Sequence, residues 1–323
     1  MDRLGIKKIY IYILVSSILM YHITIKPETF FIDNTLLDQN PYGNTSKAVD
    51  PALANKQHKQ ICNALECNVN FSLPKKNRDA QALPDIVFLA SAGLSLPRLP
   101  VSLVILPNMK HAQRKAELPF IKEIFDELKI STIPFPGKAP FEGQAECKWF
   151  HNGELLIVGY GYRANKETVS TLRKLLEEIY TSHGISPPTV LGVHLKSFNY
   201  YHLDIAMLAT SDITCLIQQG SIKDRDIYKI EKALGKAQVK IIATDDPFCL
   251  NAIIDGPNLL VHKLNNPELK DFLEEETGKT VIELDTSEYE KSGGSVRCLV
   301  FDIFDPRLIK RKKQTHSNPS SPK

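Results

Sequence analysis

An amphipathic helix followed at once by a short apolar strand is written five times along this chain, and that repetition restricts the fold more than any single motif does. The unit occurs in DPALANKQHKQICNALECNVNFSL (50–73), ELPFIKEIFDELKISTIPF (117–135) and NKETVSTLRKLLEEIYTSHGISPPTVLGVHL (165–195). DRDIYKIEKALGKAQVKIIAT and NPELKDFLEEETGKTVIELD, the latter ending at Asp285, are the fourth and fifth copies. Apolar residues recur at helical spacing in the first part of each copy and run together in the second. Between the copies lie apolar stretches that read as pairs of strands: DIVFLASAGLSL, KWFHNGELLIVGYG, DIAMLATSDITCLIQQ, NAIIDGPNLLVHKL and VRCLVFDIF. The second of these carries a hairpin turn at Asn152-Gly153. Each unit then holds about three strands and one helix, and a period of roughly 40 to 60 residues argues for a radial or stacked array. Five such units close into a ring of α/β blades. A doubly wound parallel sheet is the competing topology, but its strands alternate one for one with helices and do not come in hairpins.

A chain of 323 residues with 43% hydrophobic content can fill such a ring. Its 40 basic and 37 acidic residues leave a formal charge of +3, too little to make nucleic acid the main partner. The repeats place 9–307 in a single domain and 308–323, which combines a basic run with Ser and Pro, in a disordered tail. Six cysteines (62, 67, 147, 215, 249, 298) show no paired CxxC pattern, so reduced thiols in a cytoplasmic protein are expected. Near the N-terminus, IYIYILVSSILMY follows Arg3, Lys7 and Lys8. A run of thirteen residues is short for a membrane span, and its β-branched and aromatic content suits a first core strand. A secretion or anchor signal is the alternative.

In a ring, equivalent positions of the repeats face the same end of the axis. Glu142, His202, Asn251 and Cys298 each follow the last strand of a unit by several residues, and Asp85 holds a comparable place in the first. These residue types form the set needed for covalent attack on a carbon: Cys298 as nucleophile, His202 as acid and base, and Glu142 to balance the imidazolium. Cys298 follows Gly293-Gly294 and sits beside Arg297, a setting that favours thiolate. Asp204, two residues after His202, is expected to share its direction on a strand. Carboxylates around a thiol suit a planar cation, since a guanidinium takes bidentate hydrogen bonds.

The segments LPDIVFLASAG, PFEGQAECKWFHNGELLIVGYGYRAN, FNYYHLDIAML, DPFCLNAI and KSGGSVRCL resemble, in order, the signatures of the guanidino-group-modifying superfamily with the pentein fold. That group includes dimethylarginine dimethylaminohydrolase, arginine deiminase, arginine dihydrolase and the amidinotransferases. The resemblance implies a five-bladed α/β propeller of ββαβ units and a hydrolase acting on arginine or a methylated arginine. It implies a covalent amidino-cysteine intermediate formed with neither metal nor organic cofactor. Cys298, His202 and Glu142 become the catalytic triad, Asp204 a guanidinium ligand, and Asp85, Ser91, Arg163 and Asn251 further substrate contacts. The partner is a small guanidino compound, with a homodimer among the assemblies allowed. An amidinotransferase and a non-catalytic guanidino-binding or protein-binding pentein are the alternatives. Two positions depart from the pattern: Ser91 stands where Asn or Asp is usual, and Glu146 where Asp is common. His194, in an HLK sequence, rivals His202, but the HLD pattern favours the latter. His111, His151, His183 and His262 are expected to be solvated and Cys249 to be packed.

Overall fold

The computed structural model describes residues 20–32, 41–42, 48–66, 68–72 and 83–307. The expectations for residues 9–19 and for the tail at 308–323 lie outside the described residues. Five separate three-stranded sheets make up the fold. In the second blade β3 (Leu94–Ser95) is antiparallel to β4 (Leu103–Leu106), and β4 is parallel to β5 (Ser131–Pro134) after the helix Leu118–Glu127. The third blade repeats this with β6 (Cys147–Phe150), β7 (Leu155–Tyr160), the helix Lys166–Ser182 and β8 (Thr189–His194). The fourth uses β9 (Met207–Ala209), β10 (Cys215–Gln218), the helix Asp224–Leu234 and β11 (Val239–Ile242). The fifth uses β12 (Ile253–Asp255), β13 (Asn258–His262), the helix Pro267–Thr277 and β14 (Thr280–Leu284).

The first blade is assembled from both ends of the described chain. β1 (Met20–Ile25) runs parallel to β2 (Asn68–Phe71) after the helix Pro51–Ala64, and antiparallel to β15 (Phe301–Phe304). All five expected helix–strand units are present, and the architecture is the expected pentein ring of ββαβ blades. Local chemistry fixes the helix ends. Asp50 caps the first helix by accepting the N–H groups of Ala52 and Leu53, and Asn165 and Thr168 form a reciprocal capping box on the third. That third helix buries Val169, Leu172, Leu176 and Tyr180 against its blade. Lys166–Ser182 thus packs on β7 and β8 of its own sheet, whereas Asp224–Leu234 bridges β11 of its own blade and β8 of the preceding one.

Three expectations for local structure are corrected. DIVFLAS forms two tight 3-10 turns, Pro84–Val87 and Leu89–Ser91, and only Leu94–Ser95 is strand. Residues Val296–Leu299 of VRCLVFDIF are likewise a 3-10 turn ahead of β15. Asp204 does not share a strand with His202: it lies in the first turn of the short helix Leu203–Ala206, which His202 precedes. The cause is common to all three. A turn buried on every side needs the same apolar residues as a buried strand, so composition alone does not separate them.

Candidate active site

Before the first strand of every blade the chain makes a tight turn, and the turns meet one another. Leu89–Ser91 packs against both Gly143–Glu146 and Val296–Leu299, and the short helix Leu203–Ala206 packs against Gly143–Glu146. The closeness depends on Gly143. Its φ is +64°, and a Cβ there would stand 2.2 Å from the Gly93 carbonyl oxygen. That oxygen instead accepts the Gln144 N–H at 2.8 Å. Glu142, one residue earlier, is fully buried.

Glu142 gathers three donors. Its Oε2 lies 2.8 Å from His202 Nε2 and accepts from Arg163 Nη1 at 3.0 Å, while Oε1 accepts the Lys110 N–H at 3.1 Å. Burial alone would raise this carboxyl, but Arg163 and His202 outweigh it and hold Glu142 well below the usual carboxylate range. Arg163 also lies over the Tyr201 ring, 4.9 Å from its centroid. Glu146 accepts the Glu142 N–H at 3.1 Å through Oε2. Burial and then the Glu142 charge push the Glu146 carboxyl far up.

Across from this pair lies the thiol. Asn251 Nδ2 donates to Cys298 Sγ at 3.2 Å and to the Asp204 carbonyl at 3.3 Å. Its Oδ1 accepts the N–H groups of Arg297 (3.0 Å) and Cys298 (3.4 Å). Cys298 donates to Asp204 Oδ2 at 3.7 Å. Burial and then the Asp204 charge raise the Cys298 thiol, which is therefore protonated at rest. The second Asp204 oxygen, Oδ1, is buried with no hydrogen-bond partner. A carboxylate oxygen left bare in this way is an acceptor waiting for a donor.

Of the other expected contacts, Ser91 is buried in the turn that packs against the turn of Cys298. Asp85 hydrogen-bonds Ser292 at 3.4 Å, and burial raises its carboxyl against the pull of Arg114 and Arg163. Arg114 escaped sequence reading because HAQRKAE looks like a solvated run. It is buried, pairs with both Glu117 oxygens at 2.7 and 2.9 Å, and acts on Asp85 and Glu142. An Arg-x-x-Glu pair beside the expected site was the available signal. His194 is outside the cluster, stacked on Tyr160, and Cys249 is packed as expected. His262 is not solvated: it is buried between Asp246 at 2.7 Å and Glu290 at 3.1 Å. Among the described residues no group of three His, Cys, Asp or Glu side chains is arranged to hold a metal ion.

Five ββαβ blades whose axial turns bring together a cysteine, a histidine–glutamate pair and a bare carboxylate define a pentein of the guanidino-modifying class. The family model for eukaryotic N,N-dimethylarginine dimethylhydrolase matches residues 22–305, and the chain belongs to that family. ArgZ of Synechocystis sp., a bifunctional arginine dihydrolase/ornithine cyclodeaminase, is 27% identical over 233 residues, covering 72% of this chain and 31% of ArgZ. The chain thus spans about a third of that relative's length. The N-terminal domain of ArgZ, solved as a cysteine-to-serine variant bound to substrate, matches with a TM-score of 0.74 at 23% identity, over 88% of this chain and 98% of the domain. An asparagine-to-serine variant of that domain, covalently bound to a reaction intermediate, matches at 0.73 and 23%, over 88% and 97%. These structural likenesses concern the fold.

Proposed function

We propose that the chain is a hydrolase that attacks the guanidino carbon of arginine or a methylated arginine through Cys298. The observation that carries this is the convergence, from four different blades, of the Cys298–Asn251–Asp204 cluster and the His202–Glu142 pair. The bare Asp204 oxygen takes the guanidinium, with Ser91 on the same wall supplying a hydroxyl where relatives place an amide or acid. An incoming guanidinium neutralises Asp204, the charge that follows burial in opposing Cys298 ionisation, so substrate binding itself favours the thiolate. Asp85, half-buried, suits an α-amino group, while Arg163, buried and paired with Glu142, supports the substrate side of that carboxylate. Family membership and the covalent intermediate seen in ArgZ support the assignment.

The steps follow from these placements. The Cys298 proton is taken by His202, and Sγ forms a bond to the guanidino carbon. His202 returns the proton to the departing ammonia or amine as the C–N bond breaks, leaving an amidino-cysteine. A water then loses a proton to His202, attacks the same carbon, and the C–S bond breaks to restore the thiol. Glu142 holds the imidazolium formed at each transfer, and 9–307 acts as one catalytic domain.

Incubation of purified chain with arginine and with asymmetric dimethylarginine, followed by mass spectrometry, tests the proposal. Citrulline or ornithine from wild type, and none from Cys298→Ser, is the expected result. Absence of product from both substrates would reject the hydrolase. Adding glycine as acceptor would then test amidino transfer.

A further inference from the structure

Tyr201 is the residue before His202, and three parts of the site meet on it. It is buried and packed with Ile205 and Phe248. The Arg163 guanidinium lies over its ring at 4.9 Å, and the His202 ring stands beside it with centroids 4.7 Å apart and planes tilted by 52°. Arg163 and His202 both bond Glu142 Oε2, so one ring borders both partners of that carboxylate. The hydroxyl points to the loop of the thiol: Oη donates to the Gly293 carbonyl at 2.6 Å. Burial pushes the phenol well above its ordinary range, so it stays protonated and a donor. The near end of that loop is tightly turned. Gly293 has a φ of +80°, and Gly294 passes so close to Phe88 that a Cβ would stand 2.3 Å from the ring. At the far end Asn251 accepts the Arg297 and Cys298 N–H groups and donates to the Asp204 carbonyl.

We propose that Tyr201 is a positioning residue for the reaction proposed above, its hydroxyl and ring fixing the loop of Cys298 relative to His202, Glu142 and Arg163. The inference rests on that reaction and deepens it. Sulfur attack and proton transfer need thiol, base and guanidino carbon in one arrangement, and a displacement of about 1 Å costs roughly a hundredfold in rate. The loop is gripped at two points: at Gly293 by Tyr201, and at Arg297 and Cys298 through Asn251, which is itself bonded to Asp204. Residues 201 and 204 flank His202. Two tethers on either side of the base set the separation of thiol and imidazole and also the rotation of the loop about it. With its hydroxyl engaged as a donor and its phenol protonated, Tyr201 takes no proton itself and acts through the groups that it holds.

The test compares wild type with Tyr201→Phe, which removes the hydroxyl and keeps the ring, and with Tyr201→Leu, which removes both. Steady-state kcat and KM are measured with arginine and asymmetric dimethylarginine, and iodoacetamide labelling of Cys298, Cys215 and Cys249 is followed by peptide mass spectrometry. Tyr201→Phe should lower kcat about tenfold with KM within about twofold. By freeing one end of the loop it should also speed labelling of Cys298 about fivefold, while Cys215 and Cys249, buried away from the loop, label as in wild type. Tyr201→Leu, which also strips the ring from Arg163 and His202, should lower kcat about a hundredfold. Unchanged kcat or unchanged Cys298 labelling in Tyr201→Phe overturns the inference. So does faster labelling of all three thiols together, which is a general loosening of the fold. A wild type without turnover, in which Tyr201→Phe still exposes Cys298 selectively, rejects the hydrolase and retains the tether. Tyr201→Met supplies a second variant without the hydroxyl should the phenylalanine chain misfold.

Discussion

Glu142 is fully buried and bonded to both Arg163 and His202, so a change of one atom there has a calculable direction. Glu142→Gln leaves Arg163 without its counter-ion and removes the carboxylate that holds the His202 ring. Turnover should fall by roughly a hundredfold or more, with KM little changed, in steady-state assays with arginine or methylarginine. Asn251 has a double duty: one end donates to the thiol and the other accepts two backbone N–H groups. Asn251→Ala strands both N–H groups and should cost about 1–3 kcal/mol in denaturant melts. Asn251→Asp keeps the acceptor, so it should melt closer to wild type while adding an anion beside the thiol and losing more activity. Most of these residues were legible in the sequence because cysteine, histidine and carboxylates recur at equivalent positions of the repeats. Arg114 was not legible, since a charged residue is solvated in most proteins, and only the topology turns it inward.

At the scale of elements, the turns before the first strands decide where the chemistry sits. Gly143→Ala combines a positive φ with a Cβ 2.2 Å from backbone, so it should destabilise by more than about 2 kcal/mol and displace Glu142. Gly137→Ala is the control: its φ is +84° but nothing lies within 4 Å, and strain alone should cost about 1 kcal/mol in thermal melts. The helices and outer strands were readable from period and caps, whereas these turns were mistaken for strands because Phe88, Leu89 and Leu299 are as apolar as any strand core. The pairing of β1 with β15 carries its own pH dependence. His22 faces Asp302 across the strands; burial would lower its pKa, but Asp255 and Asp302 outweigh that and raise it to about 9. Since the folded value exceeds the ordinary 6.5, the contribution is complete below pH 6.5 and disappears as pH rises through about 9. It amounts to about 3 kcal/mol at most. His22→Gln should flatten the fall of the melting temperature over that alkaline window; an unchanged slope would assign the dependence elsewhere, with His262, also raised to about 9, the next group to replace.

For the whole molecule, the decisive feature is that β15 closes the ring against β1, with Met20 opposite Phe304. The two ends of the described chain are therefore neighbours, and the ring has no preferred starting blade. A circular permutant with a short linker across those ends and new termini at the exposed turn around Gly184 should fold and keep its turnover. Loss of activity with a retained melting transition would show that the natural order of the blades matters beyond geometry. The five units in the sequence foretold a ring, but not which strands would seal it, because pairing between residues some 280 positions apart leaves no local signal. The seal also sets a schedule. Cys298 and the closing strand are among the last described residues to be synthesised, so a nascent chain carries His202, the carboxylates and an unpaired β1 edge before it carries the proposed nucleophile. A chain ended before β15 is then an open ring without Cys298, whose bare edge invites other strands; completion of the fold and the arrival of that thiol are one event.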